Sequence, residues 1–280
     1  MDEPEGRPLA ATPAFRVARR AGRAPEIARR LWQTWRESPR DRAVLASLRG
    51  DRDVCWADAD ADNPLVTIRI ATYDRPRLLV ERAIPSALAQ THRNIEVLVI
   101  GDGATQETAD AISGVGDSRI RFVNLPRSPY PGDPEKRWMV VGCQPMNHAL
   151  SIAGGAWIAP LDDDDELTPD HVEVLLRAAI ARRLEFVYGD TAVMRQDGSW
   201  GVVGEWPPRH GGLTHGAVLY ATALRFLRYD SRSWRFREPA DWNLWRRMAA
   251  AGVRMGYINT VVYRYYPASH FPDAGPARVA

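Results

Sequence analysis

From Leu65 onward the apolar and polar positions read as strands and helices in turn. Leu65 to Ala71 is rich in β-branched residues, and Ile95 to Ile100 is almost continuously apolar, as a strand covered on both faces would be. Between them, Pro76 to Gln90 puts Leu79, Ala83 and Leu88 on one side of a helix. Thr105 to Ser113 then reads as a short helix and Arg119 to Asn124 as a strand. Asn147 to Ala153 reads as the end of a helix closed by Gly154-Gly155, and Ala156 to Leu161 as a further strand. Pro169 to Arg183 is helical and Glu185 to Asp190 extended. This alternation predicts an α/β fold, an open and mostly parallel sheet flanked by helices. After Asp190 the texture changes. Asp197-Gly198 marks a hairpin, Trp200 to Trp206 and Met255 to Tyr266 read as strands, and Pro239 to Ala251 is a helix stopped by Gly252.

The first 62 residues are of another kind. Met1 to Pro13 is polar and Pro-rich and reads as a tail. Phe15 to Leu48 has a helical pattern, with Ile27, Leu31 and Trp35 four residues apart and Pro39 as an interruption. Arginines dominate this stretch against only Glu26, Glu37 and Asp41. Such a helix suits an anionic membrane surface or a partner; equally, its apolar stripe would pack on the main domain and leave the arginines solvated. Asp51, Asp53, Asp58, Asp60 and Asp62 form an acidic linker before Asn63-Pro64. The expected division is therefore 1–62, a tail and helical extension, and 63–280, the α/β domain.

Composition narrows the function. A formal charge of +2 from 37 basic and 35 acidic residues argues against a nucleic-acid partner. All but one of the basic residues are Arg, Lys136 being the exception, which reads as codon bias. Cys55 and Cys143 lie far apart, with neither disulfide-scaffold nor zinc spacing. No apolar run approaches the ~20 residues of a membrane span, and Met1 to Pro13 has no signal-peptide core. These features read as a reduced, cytoplasmic protein, with peripheral membrane contact open through the basic helix.

In an open α/β sheet, ligands bind at the carboxyl ends of the strands. Those ends carry Thr72-Tyr73-Asp74, Gly101-Asp102-Gly103 and Asp162-Asp163-Asp164-Asp165. Four adjacent carboxylates raise one another's pKa unless a cation sits among them. A hard divalent ion, Mn²⁺ or Mg²⁺, held by one or two of them plus a substrate diphosphate resolves the conflict. The chain has no GxGxxG after its first strand, no GxxxxGK[ST] and no Gly-x-Ser-x-Gly, so dinucleotide, P-loop and α/β-hydrolase readings lose support.

Taken in order, Val66 to Pro76, Ser86 to Thr91, Val99 to Thr105, Asn147 to Leu150, Leu161 to Glu166 and Ala240 to Trp245 resemble the family 2 glycosyltransferases, inverting enzymes of GT-A fold. The likeness runs from about Leu65 to His270. It implies a nucleotide-sugar donor (UDP-, dTDP- or GDP-sugar), a carbohydrate or small-molecule acceptor, and transfer to a hydroxyl. It further implies that Thr72, Tyr73 and Asp102 hold the nucleoside, with Asp162 and Asp163 beside them. Asp162 and Asp164 match the Asp-x-Asp metal signature, and His270 is placed to reach the diphosphate or metal. His215 lies where acceptor-binding or metal-near residues occur, and Asp241 matches the general base. Three positions depart from the pattern: Gly101 and Ala240 stand where acids are usual, and Met146 where an Arg is. Arg137 or another Arg is then the candidate diphosphate ligand, and Glu238 the candidate substitute for the acid missing at Ala240. Trp206, Trp234 and Trp242 are candidate sugar-stacking or packing residues. Two competing classes are a sugar nucleotidyltransferase, whose Gly-rich basic loop Thr72 to Pro76 does not provide, and a catalytically silent binding module, favoured by Gly101 and Ala240.

Overall fold

The computed structural model describes residues 24–50 and 62–267. The Met1 to Pro13 tail, the acidic linker except Asp62, and His270 lie outside the described residues. Nine strands form one mixed sheet: β1 (Val66–Thr72), β2 (Ile95–Asp102), β3 (Ile120–Leu125), β4 (Trp157–Asp162), β5 (Glu166–Leu167), β6 (Phe186–Met194), β7 (Trp200–Val203), β8 (Val218–Ala221) and β9 (Met255–Tyr265). Their order is β3-β2-β1-β4-β8-β6-β9-β5, with β7 paired to β6. β1, β2, β3 and β4 run parallel. β8 is antiparallel to both β4 and β6, so β6, and β9 parallel to it, point the same way as β1. The carboxyl ends of all six long strands therefore share one edge.

The helices are α1 (Ala24–Gly50), a run α2 made of Pro76–Leu78, Leu79–Ala83 and Ile84–Leu88, α3 (Gln106–Val115), α4 (Pro134–Val140), α5 (Cys143–Ile152), α6 (His171–Arg182) and α7 (Ala240–Ala251). The middle turn of α2 is π-wound, and the N–H of Ile84 bonds Leu79. The next residue, Pro85, has no N–H to offer Glu81, and the wider turn absorbs that missing bond. α3 is capped as its sequence suggests, Thr105 accepting from the N–H of Thr108. α4 was not anticipated, although Asp133-Pro134 is a cap followed by an N1 proline. β8 was also missed, being only four residues long.

Alternation along the strands gives the sheet two buried faces. Val66, Ile68 and Ile70 of β1 pack with Trp157, Ala159 and Leu161 of β4 beneath α2 and α6. Ile158, Phe186, Tyr188 and Tyr220 face the other way, onto Met146 and Leu150 of α5, Leu244, Trp245 and Met248 of α7, and Leu45 of α1. Each such side chain contributes about 1.5–3 kcal/mol on burial. Polar residues are buried here too, two of them of note. His171 is buried and its Nδ1 lies 2.9 Å from the Val262 carbonyl, a structural role. Arg69 of β1 is 1% exposed among the second-face residues.

α1 runs unbroken through Pro39 instead of stopping there. An interior proline costs about 3 kcal/mol, which anchors on both sides of it offset. Before it, Arg30 donates to the Phe236 carbonyl at 2.8 and 3.0 Å. After it, Arg42 donates to Ala250 and Arg49 to Gly252 and both oxygens of Glu185. The expected Ile27–Leu31–Trp35 packing stripe is overturned at Trp35, which is 75% exposed. Among the described residues no helix is long and apolar enough to cross a membrane.

Candidate active site

The shared strand edge brings the predicted residues together in two groups. The first lies at the ends of β1 and β2. Asp102 is buried and takes four donors from the segment after β3: Ser128 N at 2.8 Å and its Oγ at 2.5 Å on one oxygen, Tyr130 Oη at 2.5 Å and Arg127 Nη1 at 3.1 Å on the other. This loads Tyr130, whose hydroxyl pKa is pushed up to about 12 by burial and by its bond to Asp102. The Arg127 guanidinium also lies over the half-exposed ring of Tyr73, 3.4 Å from its centroid. Asp102 thus ties the segment after β3 to the end of β2. Neither Arg127 nor Tyr130 carried a signal in the sequence.

Gly101 now has a physical account. A Cβ there would meet Asn124 Oδ1 at 2.4 Å. The Asn124 side chain occupies that space, accepting from Ala104 N at 2.9 Å and donating to Ala104 O at 2.8 Å. An amide on the neighbouring strand fills the place an acid would take.

The second group surrounds the aspartate run. Thr72 Oγ1 donates to Asp163 at 2.8 Å, and Arg75 reaches Asp163 at 3.3 Å and Asp164 at 2.5 Å. Arg82, carried by the π turn of α2, donates to the Asp164 carbonyl. Asp165 accepts from Tyr263 Oη at 2.6 Å and Tyr266 N at 2.8 Å, which ties the run to β9. Desolvation and mutual repulsion push Asp163 and Asp164 up to about 6 and Asp165 well above the ordinary carboxylate range. For Asp163 and Asp164, Arg75 opposes that rise. Among the described residues no three acidic, imidazole or thiolate groups form a ready cage for a metal. The donor set nevertheless fits a hard cation that takes one or two carboxylates and completes its shell with phosphate oxygens. The crowded, incompletely neutralised carboxylates are the observation behind that fit.

Asp162, at the end of β4, faces His215, with His215 Nδ1 2.8 Å from its Oδ1. On the other side of the ring, Arg69 Nη2 lies 2.9 Å from His215 Nε2. A guanidinium has only donors, so Nε2 presents its lone pair and Nδ1 carries the hydrogen toward Asp162. Arg69 also bonds the Tyr229 hydroxyl. The hydroxyls of Tyr229 and Tyr220 and the carboxylate of Asp162 favour the charge on Arg69 and outweigh its desolvation. Tyr229 in turn is clamped by both ends of the Asn147 amide at 2.9 Å.

Asp241 lies in the first turn of α7. The cap position is Pro239, and Asp241 accepts from the adjacent Trp242 N–H at 2.7 Å. Desolvation raises its pKa, the Trp242 N–H lowers it and the Asp162 carboxylate raises it, so the two carboxylates share one field. Glu238 is not at the site. It is 1% exposed and committed to Arg246 at 2.9 Å, Asn243 at 2.8 Å and Arg30 at 3.2 Å. Arg137 is likewise occupied, donating to the Pro131 and Gly132 carbonyls. Trp206 is exposed beside Tyr188, Trp234 is half-buried, and Trp242 lies beside His210 at 5.9 Å.

This arrangement, strand-end carboxylates on a mostly parallel sheet and a helix-start carboxylate across from them, is that of a GT-A fold. The profile of glycosyl transferase family 2 matches residues 67–130 and 144–241, and the chain belongs to that family. It is 26% identical over 214 residues to the Escherichia coli UDP-Glc:alpha-D-GlcNAc-diphosphoundecaprenol beta-1,3-glucosyltransferase WfaP, covering 73% of this chain and 79% of that protein. It is 32% identical over 135 residues to the succinoglycan biosynthesis protein ExoO of Rhizobium meliloti, covering 48% of this chain and 35% of that one. The chain spans only 20–38% of the length of several of the curated relatives it matches. Among solved structures, the mannosyltransferase PcManGT of Pyrobaculum calidifontis, in complex with GDP-Man and Mn²⁺, superposes with a TM-score of 0.53 at 15% identity. That match covers 86% of this chain and 69% of that one.

Proposed function

We propose that this protein transfers a sugar from a nucleoside-diphosphate sugar to a hydroxyl of a surface-polysaccharide precursor, with inversion at the anomeric carbon and with Mn²⁺ or Mg²⁺ at the donor diphosphate. The observation that carries the reading is the contact of His215 with Asp162 at 2.8 Å at the end of β4, with Asp241 in the first turn of α7 under the influence of the Asp162 carboxylate. Relatives whose names specify polysaccharide assembly and a UDP-glucose donor support it, as does the structural neighbour's GDP-mannose and Mn²⁺.

An acceptor hydroxyl is too weak an acid to ionise alone and must lose its proton as it attacks. Asp241 takes that proton. Its raised pKa makes it a stronger base than a solvated carboxylate. Asp162 and Asp164 would hold the cation, which when bound offsets the charge that grows on the departing diphosphate. Thr72 orients Asp163, and Tyr73, Asp102 and Arg127 frame the nucleoside. His215 and buried Arg69 keep Asp162 aimed into the site. His270, outside the described residues, is a further proposed partner of the diphosphate or metal.

The test is a panel of UDP-, dTDP- and GDP-sugars, scored for nucleoside-diphosphate release and for the anomeric configuration of the product, with and without Mn²⁺. Asp164→Ala should abolish metal-stimulated binding of the matching nucleoside diphosphate in calorimetry. Full Mn²⁺-dependent affinity in that variant removes Asp164 from the metal site. A parent that binds nucleotide but never releases it from any donor would be a silent module.

A further inference from the structure

α1 faces the wrong way for a helix that serves only to cover the core. In its N-terminal half, among the side chains described, the buried residues are Gln33 and Ser38, both polar, while Trp32 and Trp35 are 53% and 75% exposed. The exposed charged residues among those described on α1 are all arginines, Arg29, Arg36, Arg40 and Arg42. Glu37 and Asp41 are half-buried, Glu37 lying 3.4 Å from Arg247 and Asp41 sitting where burial raises its pKa. Beyond the helix, rings and cations continue alongside the exposed acids Asp133 and Glu135. Arg29 reaches the Arg235 carbonyl at 3.4 Å, and the Arg235 and Lys136 cations each lie 5.3 Å from the Trp234 ring. Two residues past Lys136, Trp138 is 45% exposed.

A tryptophan buries about 150–250 Å² when it finds a partner, and this fold gives Trp32 and Trp35 little. The headgroup layer of a bilayer accepts amphipathic rings, and anionic headgroups attract arginine. A second copy of the chain fits less well, because it would set the same arginines against each other. A single-stranded nucleic acid would need a groove to follow, and these rings stand on a convex helix. We propose that the outer face of α1, continued by Trp234 and Trp138, docks the protein on an anionic lipid surface.

The docking face has a defined relation to the site. Gln33 contacts Asn243 and Arg246, and Arg30 contacts Phe236, so the tryptophan-bearing half of α1 lies along the start of α7, where Asp241 is. An acceptor carried by a lipid would then meet the side of the site that holds the base. The surface itself rests on none of the transfer chemistry.

The experiment is flotation of the full-length chain with phosphatidylcholine vesicles, with and without phosphatidylglycerol, in rising salt and without nucleotide. The parent should bind only the anionic vesicles and detach as salt rises. Each arginine near such a surface is worth about a fivefold change in affinity, so Arg36→Glu with Arg40→Glu should weaken binding more than tenfold. Trp32→Phe with Trp35→Phe should remove most of the quenching of protein fluorescence by brominated lipid. Trp32→Ala with Trp35→Ala should cut affinity at least tenfold while circular dichroism and nucleotide binding stay unchanged. No binding to anionic vesicles at low salt, or equal binding by the alanine pair, overturns the proposal. So does dimerisation, or binding of single-stranded RNA, that depends on the same tryptophans in place of vesicle binding.

Discussion

Asp241 spends one oxygen on its neighbour's N–H and sits where desolvation raises its pKa. Asp241→Asn keeps the shape but cannot take a proton. Turnover should fall by about 10²–10⁴, with donor affinity unchanged, as read by single-turnover transfer and donor titration on one preparation. Because the base works only when ionised, the acid limb of the parent's activity profile should lie above the ordinary carboxylate range and be lost in the variant. Asp163 and Asp164 make a separate prediction. Their pKa is raised from 3.8 to about 6 by folding, so the folded state holds their protons more tightly than the unfolded chain. Their favourable contribution is full below about 4 and disappears as pH rises through 6. The metal-free protein should therefore gain melting temperature between pH 7 and pH 5, and Asp163→Asn with Asp164→Asn should flatten that slope. The acids at this scale were legible because strand ends and carboxylate runs are sequence-local. Arg69, Arg127 and Asn124 were not, since each matters through a partner on another strand or loop: His215, Asp102 and the space beside Gly101.

At the scale of elements, long runs with a clear period were readable and short or compensated ones were not. β1, β2, β4 and α7 match their expected spans to within a residue or two, because each buries a continuous apolar pattern. β8 has four residues and α4 depends on a cap. The stop expected at Pro39 failed because side-chain anchors on both sides outweigh one lost hydrogen bond. The joint between α1 and α7 shows how such anchors work. Glu238 collects Arg246, Asn243 and Arg30 while 1% exposed. Removing one member of a buried ionic cluster leaves the others without compensation and costs about 3–5 kcal/mol. Glu238→Ala should lower unfolding free energy in urea by that amount. Its donor affinity should stay at the parent value, and its turnover should fall far less than that of Asp241→Asn. Loss of turnover equal to that of Asp241→Asn in a stably folded Glu238→Gln protein would return Glu238 to the list of bases.

For the molecule as a whole, the division at residue 62 has two sides that separate in an experiment. The proposed nucleoside corner is built by Tyr73, Asp102, Arg127 and Tyr130, and the aspartate run is held by Thr72, Arg75 and β9. None of these bonds involves α1. The base side differs, since Arg30, Gln33 and Thr34 all bond residues around the start of α7. Deleting residues 1–62 should therefore leave nucleotide binding close to the parent value. It would also expose Leu45's partners, free Glu238 and Arg246 of their α1 contacts, and take Arg49 from buried Glu185, which keeps Arg254. The truncated chain should melt earlier and transfer sugar more slowly, with the loss in turnover and not in donor affinity. Donor titration, a melting curve and single-turnover transfer on one preparation read all three. A folded truncation that no longer binds nucleotide would show that the extension helps build the donor site. One that transfers at the parent rate would show that α7 holds Asp241 in place without α1.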